Sequence, residues 1–205
     1  MLNEVKSAFT ENKVAILSAV AILFVSMVLG YLFEPYLYDF LNPVTEDLTH
    51  RVQTGVVTLT FQSIFLNNIQ IVLTMFIYGI LFCLSAAVLA FNGLFVGYYV
   101  ATTDDLFQTL LLIIPHGIFE FSSCILACAS GFVLFNFLYR FLKTINKQDD
   151  GSVRKILSVS FAEGFDKLKQ AIILLVIASI LMAIAGFVEA YLTLPIAEFL
   201  YSILS

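Results

Sequence analysis

In the stretch "IIPHGIFEF", residues 113–121, an imidazole and a carboxylate stand four residues apart inside an apolar run, as His116 and Glu120. On a helix that spacing places both on one face. A second carboxylate, Glu189, interrupts the last apolar run in "AGFVEAYLTLP". Imidazole and carboxylate groups can act as acid and base, ligate a metal, or bind a proton or small cation along a transport path. A charged side chain facing mid-bilayer lipid costs at least ~2.5–3.5 kcal/mol on insertion scales. His116, Glu120 and Glu189 are therefore expected to face an enclosed polar site, with Asn68 and Asn92 as amide neighbours. Asn67 and Asn68 also suit the cap of the helix that follows them. Pro115 removes a backbone donor and Gly117 loosens the next turn, so the two are expected to break the helix at the site. No third strong ligand and no nucleophile is evident, so the residues imply no enzyme, no metal centre and no cofactor.

The elements that must hold these groups are membrane helices. The chain has 205 residues, 60% of them hydrophobic and 12% charged, with 21 Phe, no Trp and a mean hydropathy of +0.98. Soluble domains carry about twice that charged fraction. At ~20 residues per crossing there is room for about four to six spans and short loops. The fold class is all-α: a polytopic helical membrane protein, with residues 1–205 as one transmembrane domain. Helices are expected at about 14–33, 69–91, 117–139 and 171–192. A short broken or re-entrant pair is expected at 92–114, where Asn92-Gly93 and Asp104-Asp105 punctuate the run.

Charge fixes the expected orientation. Lys6 and Lys13 precede the first apolar run, and Arg140, Lys143, Lys147, Arg154, Lys155, Lys167 and Lys169 cluster between the last two; only Arg51 lies elsewhere. The positive-inside rule makes the N-terminus and residues 140–170 cytoplasmic, residues 34–68 an external loop, and the C-terminus external in a multi-pass cell-membrane protein. The helix at 117–139 must run inward, so a segment between 92 and 115 has to climb back outward. Within 140–170, Ile156, Leu157, Phe161, Phe165 and Leu168 recur at helical spacing beside basic residues, which predicts an amphipathic helix on an anionic leaflet.

Two rows of small residues, Gly93, Gly97, Ala101 and Ser123, Ala127, Gly131, allow close helix approach, within the chain or to a second copy in a homo-oligomer. Cys83, Cys124 and Cys128 read as small buried hydrophobes. The first apolar run lacks a cleavage-site pattern and is expected to stay as an anchor. Phosphate-loop, sequon and nucleic-acid-binding patterns are absent from the sequence.

The motifs "IFLNNI", "FNGLFVG", "PHGIFEF", "ASG" and "AGFVEAYLT", in this order between about Ser63 and Pro195, resemble the stage II sporulation protein M family. The matching residues are Asn68, Asn92, Gly93, Gly97, Pro115, His116, Gly117, Glu120, Gly131 and Glu189. The resemblance implies a non-enzymatic membrane scaffold or remodelling component; in spore formers the family member recruits cell-wall hydrolases during engulfment. Partners would be the lipid bilayer and membrane proteins met through helices or short loops. The residues themselves keep two other classes open: a small-solute or ion transporter or channel built on broken helices, and an intramembrane enzyme using His116 with Glu120 or Glu189.

Overall fold

A computed structural model describes residues 2–54, 60–146 and 153–204. Every element among them is a helix: α1 Leu2–Glu11, α2 Lys13–Leu32, α3 Glu34–Gln53, α4 Phe61–Tyr78, α5 Phe82–Ala101, α6 Leu106–Ile145, α7 Val153–Tyr191 and α8 Thr193–Leu204. Five of them, α2, α4, α5, α6 and α7, are long and apolar enough to cross a bilayer. The protein is a polytopic all-α membrane protein, with the core gathered around α6. There Cys124, Ala127, Cys128 and Phe132 meet Leu174, Ala178 and Met182 of α7 and Val72 and Met75 of α4.

The first span falls where the sequence puts it, but the next two do not. Residues 34–68 are not one loop: α3 occupies Glu34–Gln53 and α4 already starts at Phe61. Within α3, Asn42 donates to Glu46 at 2.8 Å and Leu41 is fully buried, so a polar segment has both local pairs and a packed face. Thr60 caps α4 by accepting from the Ser63 amide at 3.3 Å, which displaces the expected cap at Asn67 or Asn68.

The expected single helix at 69–91 turns back at Gly79–Leu81. Its corner is closed by short-range bonds, Ile80 N–H to Ile77 carbonyl at 3.1 Å and Leu81 N–H to Tyr78 carbonyl at 3.0 Å. A Cβ at Gly79 would overlap the Gly131 backbone of α6, so close approach to α6 requires glycine here. Asn92 and Gly93 consequently lie inside the continuous helix α5, not at a break. This helix, at 20 residues, is long and apolar enough to supply the additional crossing that the expected parity demands. The break falls at 102–105, where Asp105 caps α6 by accepting from the Gln108 amide at 3.0 Å and Asp104 is exposed.

Pro115 and Gly117 do not break their helix either; α6 runs through both without interruption. Proline removes one donor and strains one turn. In an apolar phase, however, ending the helix would orphan several backbone groups, so continuation costs less.

The small-residue rows serve packing within the chain. Gly93 faces the Leu23 carbonyl and Ser26 of α2, and a Cβ on Gly97 would overlap the Met27 carbonyl. Gly131 faces the Met75 carbonyl and Ser85, while Ser123 donates to the Ala178 carbonyl at 2.6 Å. Ala127 is fully buried in this seam, and Ala101 ends α5 half-buried. Both rows are thus engaged within the chain, at α2–α5, at α6–α7 and where α6 meets α4 and α5.

Residues 140–170 are not a separate helix lying on the leaflet. Helices α6 and α7 run antiparallel, and their ends continue past the level of Gly79 as paired arms. Phe137 packs edge-on against Phe161 at 5.9 Å, the Phe137 ring lies against Gly164, and Thr144 donates to Glu163. The apolar face that suggested a lipid surface is partly used by this pairing. Lys167 and Lys169 bond to Glu11 and Glu4 of α1. Lys147, Gly151 and Ser152, and the side chains of Arg51 and Arg154, lie outside the described residues.

Candidate functional site

His116 and Glu120 sit one turn apart on α6, and Glu189 lies near the end of α7, which runs back alongside. One ligand-competent atom from each of the three lies within 4.8 Å of the others, and all three side chains are half-buried. The α7–α8 junction adds a fourth group. Thr193, the first residue of α8, is buried; its Oγ1 lies 3.3 Å from His116 Nδ1 and donates to the Val188 carbonyl at 3.1 Å.

Beside the cluster is a recess of about 130 Å³, lined by Phe95, Val96 and Tyr99 of α5 and by Ile113, Gly117 and Phe121 of α6, with His116 and Glu120 on its wall. A Cβ at Gly117 would meet Phe121 at 3.3 Å and Ile113 at 3.4 Å. Gly117 thus keeps space open beside His116, a role distinct from the expected helix break. A larger cleft of about 470 Å³ lies between the start of α6 and α8, lined by Gln108, Leu111, Leu112, Leu194, Ala197 and Tyr201 among others.

Charge is unbalanced in the cluster. Two carboxylates face one another, and among the described residues neither makes a hydrogen bond or an ion pair with a Lys or Arg. Four of the described basic side chains are committed elsewhere. Lys167 and Lys169 bind α1, Arg140 bonds Asn136, and Lys143 lies over the Tyr139 ring.

Of the five residues expected at a buried polar site, three are brought together. Asn68 accepts from its neighbour Asn67 at 3.3 Å, and Asn92 donates to the Val88 carbonyl of its own helix at 2.9 Å. Neither lines the recess. Thr193 was not expected; it ends the "AGFVEAYLT" motif four residues after Glu189 and two before Pro195. Cys124 and Cys128 are buried in the α6 seam, and Cys83 is exposed.

The family model described as "Stage II sporulation protein M" matches residues 15–194, which include the first span, all three cluster residues and Thr193. The chain is similar to two uncharacterized proteins of Methanocaldococcus jannaschii. It is 30% identical to MJ0793 over 178 residues, 84% of this chain and 92% of that protein. It is 29% identical to MJ0706 over 214 residues, 98% of this chain and 91% of that protein. No solved structure matches. The chain belongs to the stage II sporulation protein M family.

Proposed function

We propose that the chain is a non-enzymatic, membrane-embedded cation-binding protein, a carrier or channel component whose working residues are His116, Glu120 and Glu189. Sequence and family alone put a scaffold first; the assembled cluster is the observation that puts cation binding first. Two carboxylates and an imidazole converge within 4.8 Å with no basic partner among the described residues. In a low-dielectric surrounding, two like charges need neutralisation by protons or by a bound cation. Ionisable groups in membrane helices that are neither paired nor needed for packing mark ion pathways.

The test is ion flux into liposomes containing the purified protein. Proton or metal-ion uptake that Glu120→Gln abolishes, with the helical circular dichroism retained, supports the reading. Flux equal to that of empty liposomes counts against it.

A scaffold or remodelling role is the second reading, favoured by the paired α6–α7 arms. They extend about 20 Å past the corner at Gly79 and expose Tyr139, Leu142, Leu157, Phe161 and Phe165. Basic residues on these arms favour a cytoplasmic position, with the cell membrane as the site of action, α1 inside and α8 outside. Site-specific photocrosslinking from position 142 or 161 tests it: a discrete protein adduct supports docking, and lipid adducts alone oppose it.

A further inference from the structure

We infer that the cluster is a site for a divalent first-row transition-metal ion, with His116 Nε2, Glu120 and Glu189 as ligands and Thr193 as the residue that fixes the imidazole. The inference rests on the cation-binding reading and names the class of cation.

The hydroxyl of Thr193 has one proton, and it goes to the Val188 carbonyl, 3.1 Å away. With that proton on the shorter of the two contacts, the contact between Thr193 Oγ1 and His116 Nδ1 at 3.3 Å is assigned an Nδ1–H donor. In the neutral imidazole this leaves the lone pair on Nε2. A ring whose second nitrogen donates to a fixed oxygen is the arrangement that orients histidine as a metal ligand. Thr193 is held by the backbone of the α7–α8 junction, so the tautomer is set by the fold.

Charge and ligand type select the ion. Two carboxylates and a neutral imidazole carry a charge of −2, which one divalent ion cancels. Alkali and alkaline-earth ions favour all-oxygen sites, whereas imidazole suits zinc, iron, nickel and copper. Around an ion with ligand distances of ~2.0–2.2 Å, tetrahedral ligands lie about 3.4 Å apart. The present spacing, at most 4.8 Å, closes to this by side-chain rotation of two glutamates that no hydrogen bond among the described residues holds in place. Three protein ligands leave a fourth position open. The 130 Å³ recess beside His116, kept clear by Gly117, gives that position room for water or an exchanging ligand.

The experiment is a titration of the chelator-stripped, full-length protein in detergent with Co²⁺ alone, followed by visible absorption, with Zn²⁺ and Ca²⁺ as competitors. The expected result is one Co²⁺ per chain with visible bands typical of low coordination number, displaced by Zn²⁺ and not by excess Ca²⁺. Glu189→Gln should weaken binding by at least 100-fold. Thr193→Val should weaken it by 10–100-fold and Thr193→Ser should restore it, an outcome that a merely structural role would not produce. Absence of stoichiometric Co²⁺ binding, or bands unchanged in Glu189→Gln, overturns the metal assignment. If proton flux through Glu120 persists in protein that binds no Co²⁺, the metal inference fails and the cation reading stands. If both are absent, both fail.

Discussion

Two polar clusters lean on α7, one at each end of its membrane-spanning part, and they are built on opposite principles. At the α1 end, Lys167 is 7% exposed and directs its ammonium to three acceptors: Gln170 at 2.7 Å, Glu11 at 3.1 Å and Asn12 at 3.2 Å. Asn12 donates to Gln170 and to the Ala8 carbonyl, both at 2.8 Å, and Gln170 donates to Glu11 at 2.9 Å and Ser7 at 3.2 Å. Charge balances and the donors are used. At the α8 end, two carboxylates lie beside a histidine with, among the described residues, no countercharge and no hydrogen bond of their own. A satisfied network fastens one helix to another. An unbalanced one marks a candidate ligand site.

Removing charge should therefore act in opposite directions at the two ends. The largest effect is expected from Glu120→Gln together with Glu189→Gln: metal affinity falls beyond measurement while the metal-free protein keeps or raises its Tm, because a repulsion has been removed. Calorimetric titration and a thermal melt on the same sample check both halves. Next comes Lys167→Met, which takes the ammonium from Asn12 and Gln170, both buried, and costs about 1–3 kcal/mol for the groups left unpaired. A Tm lower by several degrees with metal binding intact is the expected result; an unchanged Tm would mean that the α1 network is not a clamp.

How far these clusters can be read without coordinates differs. His116 and Glu120 announce themselves because four-residue spacing on a helix forces a common face, and Glu189 because a carboxylate in an apolar run needs an interior partner. Thr193 does not, since its role depends on a turn at Leu192 that composition leaves open. Lys167 reads as a lipid-facing cation because its partners Glu11 and Asn12 are more than 150 residues away in sequence. The corner at Gly79–Leu81 is hidden in a uniformly apolar run, where turn chemistry has no polar signal and only the approach to Gly131 demands it. Pro115 misleads in the opposite sense: a helix breaker in water is tolerated where hydrocarbon forbids the alternative.

A smaller effect follows from pH. Hydrogen bonds from Ser7 and Gln170, then the Lys167 ammonium, hold the Glu11 carboxyl at about 2, against an ordinary 4.5. A depressed folded-state value means that the contribution is full above about pH 4.5 and is lost as pH falls toward about 2. Hydrogen exchange in α1 should rise over that window, and in Glu11→Gln the rise should disappear. The smallest effect is expected at Lys169 and Glu4, an exposed pair whose side chains are 44% and 45% accessible. Lys169→Ala should leave the Tm unchanged within error, since exposed pairs are screened by solvent.

The central claim is that the unbalanced cluster holds a cation that its own residues ligate. X-ray absorption on the zinc-loaded full-length protein tests it most directly. The account predicts one zinc per chain in a shell of nitrogen and oxygen at ~2.0–2.2 Å that includes a single imidazole. A shell containing sulfur at ~2.3 Å would place the ion at Cys124 and Cys128, and either that result or no retained zinc would contradict the account.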